Sequence, residues 1–263
     1  MDHHLSWYHY LPGYEALHNH FQTYYAHTVL FNGGILPEVG VFNTIHHMVA
    51  GLIVVAILCI MAIMAKMRLK NLEAVIIPSP KFSLLNFFEL IMQVLMNLMK
   101  DIIGADYKRH VPLVGTLALF ILMSNLLGLV PGFVPPTDNL NTTLACGLVV
   151  FFYFNAQGIR VHGLGHITHL ANPLGEWWGW FLSPLLFPVE LIGLLVRPFS
   201  LGIRLAGNMI GDHKVLLAFA GILPFLVPLP FFFLGLLVSV IQTIVFCLLT
   251  CVYISLHTQE AEH

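Results

Sequence analysis

Five apolar stretches, each long enough to cross a lipid bilayer, dominate the sequence and decide what the chain can fold into. They run over about Val41–Ala65, Pro112–Val130, Leu140–Ile159, Trp177–Ala220 and Pro224–Leu256. A hydrocarbon core of about 30 Å needs about 20 such residues as helix. Lipid supplies no hydrogen bonds to the backbone, so apolar spans of this kind are helical. Hydrophobic residues make up 58% of the chain and charged residues 9%, against about 25% charged in a soluble domain. There is too little charge to cover a water-facing surface. The fold class is therefore all-α and polytopic, with about five to six helices.

Residues 82–103 differ from the spans. Asn86, Glu89, Gln93, Asn97 and Lys100 follow one another at steps of 3, 4, 4 and 3, a polar stripe at helical period. The other faces are Phe, Leu, Ile, Met and Val. This predicts one amphipathic helix, lying in the interface or packed within the bilayer with its stripe against protein; a sixth plain span is the alternative.

Lys and Arg set the expected orientation. None occurs in residues 1–65, in the 131–139 loop or in the 221–230 connection, whereas Lys66, Arg68, Lys70, Lys81, Lys100, Lys108, Arg109 and Arg160 cluster at the other ends. The N-terminus is predicted external and the C-terminus cytoplasmic, in the plasma (inner) membrane. Residues 1–40 form an external segment without a secretory signal. Residues 41–258 form a single transmembrane domain with helices near 41–65, 82–103, 112–130, 140–159, 177–220 and 224–256, and residues 259–263 form a cytoplasmic tail.

The last two spans are overlong. A helix over 177–220 would measure roughly 60 Å at 1.5 Å per residue. Pro184, Pro188 and Pro198 are candidates to break its early turns. Two overlong helices joined by a short Pro-containing link suggest a steeply tilted antiparallel hairpin.

Charges inside spans are costly and mark pathways, and here they concentrate in the fourth span. Glu190, Arg197 and Arg204 are spaced at 7 and 7, and Asn208 is four after Arg204, so all lie near one helix face. Arg197 and Lys214 sit near segment ends, where snorkelling explains them as well as function does. Arg204 sits mid-segment and keeps its charge. It can bind an anion or lower the pKa of a passing carboxylate, but it cannot relay protons. Glu190 and the Asp212–His213 pair can titrate. They flank Arg204 at about 21 Å and about 12 Å along an ideal helix. That layout suits two half-paths that must not connect. Gln242, opposite Arg204 in such a hairpin, and Asn125 are polar interruptions of apolar runs. Each fits a path-lining role or plain interhelical bonding.

Three runs carry a family resemblance. Arg197-Pro-Phe-Ser-Leu-Gly-Ile-Arg204-Leu-Ala-Gly-Asn208-Met resembles the signature of subunit a of F-type ATP synthases, of bacterial type. Ser124-Asn-Leu-Leu-Gly-Leu-Val-Pro131-Gly-Phe and Gln242-Thr-Ile-Val-Phe with Tyr253-Ile resemble its other motifs. The resemblance implies a proton-translocating stator subunit of Fo. It forms two offset half-channels with a ring of c proteolipids, beside b-type peripheral stalk subunits and the rest of the complex. It implies that Arg204 is the essential arginine, and that Glu190, Asn208 and Gln242 hold polar positions near the channels. His213 stands at a position occupied by acid or histidine, often paired with an ionisable group on the last helix. The facing stretch Leu234-Gly-Leu-Leu-Val has none, which leaves Asp212 as the local candidate. Gly128 stands where some members carry an acid, and Ala206 where phenylalanine is common. No cofactor is implied.

Other classes fit less well. A secondary transporter with an anion site at Arg204 is the main alternative, although no internal repeat is visible. A net charge of −2 gives no nucleic-acid footprint. No nucleotide motif occurs, so the chain is not expected to be an enzyme. Cys59, Cys146, Cys247 and Cys251 lie in apolar stretches without ligand spacing. His162, His166 and His169 lack the glutamate of a catalytic zinc motif, and paired histidines deep inside spans, as a di-haem protein needs, are absent.

Overall fold

The computed structural model describes residues 10–26, 46–69, 84–130, 132–163, 179–220 and 228–258, and all regular structure in them is helical. The described residues form seven α-helices: α1 (Tyr14–Ala26), α2 (His46–Leu69), α3 (Leu84–Ile103), α4 (Tyr107–Leu127), α5 (Leu140–His162), α6 (Gly179–Ala220) and α7 (Pro228–Thr258). A short 3-10 turn, Pro136–Asp138, precedes α5. Five helices are long and apolar enough to cross a membrane: α2, α4, α5, α6 and α7. The chain is a multi-pass membrane protein, and α3 is not one of its apolar spans.

Local chemistry explains most boundaries. Gly13, at φ +86°, turns the chain into α1, whose first turn carries Glu15 near the positive end of the helix dipole. Gly104, also at φ +86°, closes α3 and hands the chain to α4 two residues later. The helix expected from residue 112 begins earlier, at Tyr107, because Pro112 falls within its second turn and breaks nothing. The three prolines of the fourth span likewise break nothing: α6 is continuous from Gly179 to Ala220 through Pro184, Pro188 and Pro198. Helices in apolar surroundings tolerate proline where neighbours resatisfy the freed carbonyls.

The polar stripe of α3 is exposed over most of its length, with Asn86 half-buried. Glu89, Gln93, Asn97 and Lys100 are exposed, while Leu95, Met99 and Ile103 are buried. Met92 and Leu95 pack beneath Gly115 of α4.

The chain divides into two compact units, and α4, α6 and α7 contribute a length to each. The first takes described residues from Met1–Phe88, Leu119–Thr142 and Ala206–Thr243; the second from Glu89–Ala118, Thr143–Leu205 and Ile244–His263. In the first unit Tyr14 and Ala50 are buried together with Val49, Ile53, Phe133 and Val134 against them. In the second, α5 and α6 approach most closely where Gly147 meets the carbonyl of Pro198 and Gly202 meets Leu144.

Candidate functional site

The first unit gathers polar groups that the apolar spans would otherwise have no reason to bury. Asn125 is fully buried in α4, and its Oδ1 accepts a 2.8 Å hydrogen bond from Thr137 Oγ1 in the 3-10 turn. The buried Ser124 Oγ and Asn125 Nδ2, and Ser239 Oγ on α7, have no hydrogen-bond partner among the described residues. Buried polar atoms left in this state are normally satisfied by ordered water. Thr243, by contrast, returns its hydroxyl to the Ser239 carbonyl at 2.8 Å.

In this unit α6 and α7 run antiparallel, as Phe219 stacks on Phe231, Asp212 meets Gly235 and Asn208 meets Gln242. Asn208 Nδ2 donates to Gln242 Oε1 at 2.6 Å. Gln242 is buried and Asn208 is exposed. The sequence places Gln242 opposite Arg204; its bonded partner is Asn208, one helical turn further along. A Cβ at Gly235 would lie 2.6 Å from Asp212 Oδ2 and 2.8 Å from Leu129 Cδ2. The half-buried Asp212 carboxylate thus fills space that only glycine leaves open on α7. His213, beside it, is also half-buried. Gly128 has no room for a side chain: a Cβ there would meet the Pro135 ring at 2.8 Å.

The second unit holds the remaining charges of α6. Arg204 is exposed on the surface of this chain, and no hydrogen bond or ion pair ties it to the described residues. Glu190 is half-buried. Arg197 is half-buried and does not simply reach for water. Its Nη1 donates to His257 Nε2 at 3.3 Å, and its guanidinium lies 5.8 Å from the centre of the Tyr253 ring. His257 Nδ1 donates to the Tyr253 carbonyl at 2.8 Å, which fixes the tautomer that accepts at Nε2. Phe154 packs on the same imidazole at 4.4 Å.

Sequence reasoning misses three of these residues. Thr137 sits in a proline-rich loop with no periodic signal. His257 stands four after Tyr253, a visible helix spacing, but its pairing with Arg197 depends on helix register. Gly235 shows in the sequence only as the lack of an ionisable group. His166 and His169 lie outside the described residues, as do Lys70 and Lys81; His162 closes α5. Among the described residues no group of three or more His, Cys, Asp or Glu is placed to hold a metal.

The chain matches one protein family. A family profile described as ATP synthase A chain matches residues 48–255. ATP synthase subunit a of Sorangium cellulosum (strain So ce56) is 41% identical over 213 residues, covering 81% of this chain and 82% of that protein. ATP synthase subunit a of Geobacter sulfurreducens is 47% identical over 176 residues, covering 67% and 75% respectively. That of Citrifermentans bemidjiense is 49% identical over 185 residues, covering 70% and 76%.

Proposed function

Because this chain belongs to the ATP synthase A chain family, the non-catalytic membrane subunit of Fo, we propose that it forms the stationary wall of a two-part proton path against a rotating ring of c proteolipids. The observation that carries this reading is Arg204. It is a permanent cation in a lipid-length apolar helix, exposed on this chain and without a partner among its described residues. A charge cannot remain bare in lipid at acceptable cost, so its counter-charge comes from outside the chain.

A rotor carboxylate supplies the chemistry. Facing lipid, it is protonated, because an unpaired charge there costs several kcal/mol. Beside Arg204 it ionises, because an opposite charge favours the charged form. The arginine cannot give up its own proton, so it drives proton release without passing protons along. It thereby keeps the two half-paths electrically apart.

The first unit supports the external half-path. Asn125, Ser124, Ser239, Asp212 and His213 offer buried or half-buried polar atoms to water, and the Asn208–Gln242 pair stands near its inner end. Glu190, fourteen residues before Arg204, serves the cytoplasmic half-path. The basic connections favour an inner-membrane orientation with the N-terminus outside and the C-terminus in the cytoplasm. The polar stripe of α3, exposed on this chain, is open to b-type stalk subunits or lipid headgroups. The anion-transporter alternative has no observation in its favour once the family is known.

The test is Arg204→Ala in the assembled complex. ATP-driven proton pumping into vesicles is expected to vanish while assembly, checked by co-purification of the subunits, is retained. Normal pumping by that variant would sink the proposal.

A further inference from the structure

The first unit holds a second cluster of titratable side chains, contributed by α1 and the start of α2. Tyr14 of α1 is 4% exposed and lodged against Ala50 of α2. Its hydroxyl lies 2.8 Å from Nδ1 and 3.2 Å from Nε2 of His46, and its ring stacks on His46 at 5.3 Å. His18, one turn along α1, stacks on Tyr14 at 5.9 Å and stands 6.3 Å from His46. His18 Nδ1 is buried without a hydrogen bond among the described residues. His47 follows His46 at the start of α2. All of these residues precede residue 48, where the family match begins.

Its location connects it to the buried polar groups. One helical turn after His47, a Cβ at Gly51 would stand 4.0 Å from the Pro136 ring. The next residue, Thr137, holds the buried Asn125. Phe133 and Val134, from the loop that leads to this turn, pack on the Tyr14–Ala50 core. The Tyr14 core that carries the imidazoles thus packs against the loop whose following turn bonds Asn125.

We propose that Tyr14, His18, His46 and His47 form a proton-loading site at the outer entrance of the external half-path; this rests on the half-path reading above. Imidazole is the side chain whose charge changes near neutral pH. The Tyr14 hydroxyl suits both states of His46, donating to the neutral ring and accepting from the charged one. Burial pushes the Tyr14 phenol above its usual value, which keeps its proton in place throughout. The other described titratable groups on the packed elements are Glu15, His20, Tyr24 and Tyr25 of α1, Cys59, Lys66 and Arg68 of α2 and Asp138 of the 3-10 turn; Glu15 and His20 are exposed and Asp138 is half-buried. Such a site matters when free protons are scarce, since it collects them from a wide area and holds them at the entrance.

The test uses the whole ATP synthase in vesicles, with flux driven inward from the N-terminal side. The variant is His18→Gln/His46→Gln. At alkaline external pH and low buffer, flux is expected to fall several-fold. High concentrations of imidazole, a mobile proton carrier, are expected to restore it, and at acid pH the variant should match the wild type. Unchanged flux at alkaline pH in low buffer overturns the loading site. So does a loss that imidazole does not restore, which marks a packing role. Asn125→Leu, measured alongside, separates the two readings. If Asn125→Leu conducts normally and the histidine variant still shows the imidazole-reversible loss, the loading site stands and the half-path through Asn125 falls. If Asn125→Leu is impaired and the histidine variant is normal, only the loading site falls.

Discussion

Asp212 and Gly235 have to be considered together, because the carboxylate of one occupies the place of the other's side chain. A methyl group at 235 would press on Asp212 Oδ2 and on Leu129. Overpacking of this sort costs roughly 1–3 kcal/mol, and here it would also move a carboxylate proposed to serve the proton path. Gly235→Ala is therefore expected to lower the melting temperature of the purified complex and to slow proton flux. Adding Asp212→Ala removes half of the clash. The double variant should regain stability but not flux. Recovery of both would show that Asp212 only fills space. The sequence shows each of the polar residues by itself: Arg204, Asp212, Asn125, Asn208 and Gln242 all interrupt apolar runs, and that is a local signal. It does not show that Gly235 is a socket for Asp212 or that Gln242 meets Asn208 rather than Arg204. Both depend on the sliding register of two helices, which has no trace in composition or period.

At the level of helices, apolar length and the basic clusters are strong signals, and six helices lie close to where hydropathy and periodicity put them. The departures have physical causes. Prolines that would end a helix in water are carried through α6, where the surroundings are apolar and neighbours close in on the freed backbone. The N-terminal helix α1 is not legible in the sequence, because its stability comes from Tyr14 docking on Ala50 and the 133–134 loop rather than from a periodic pattern. The hairpin of α6 and α7 also makes a measurable claim. Asn208 and Gln242 form its polar link in the first unit. Interhelical hydrogen bonds in membranes average about 0.6 kcal/mol and reach about 1.7 kcal/mol. A double-mutant cycle with Asn208→Leu and Gln242→Leu, read by denaturant unfolding in detergent, is expected to give a coupling in that range. Additive losses would mean that the two side chains do not hold the helices together, and that their polarity is kept for another purpose.

For the molecule as a whole, the outward face of α6 does not read as a lipid surface. Ile203, Arg204, Gly207, Asn208 and Gly211 are all exposed, and no described residue lies within 4 Å of where a Cβ would stand at Gly207 or Gly211. A cation and an amide cannot face hydrocarbon unaided, and glycine adds no bulk that would keep another helix away. Both properties suit a helical partner that passes close by and carries a carboxylate. Cysteine cross-linking tests this without touching Arg204. Cys59 is the exposed native cysteine while Cys146, Cys247 and Cys251 are buried, so Cys59→Ser gives a quiet background. In that background Gly207→Cys is expected to form a disulfide with a c proteolipid that bears a cysteine one turn from its carboxylate. Any copy in the ring should be able to form it, since rotation under ATP brings each one past this face. The same bond should stall rotation, and reduction should release it. A Gly207→Cys chain that reacts with a lipid-phase maleimide but never cross-links to the ring would leave this face open to lipid. Arg204 would then have no rotor carboxylate to meet, and its role in proton release would fall with it.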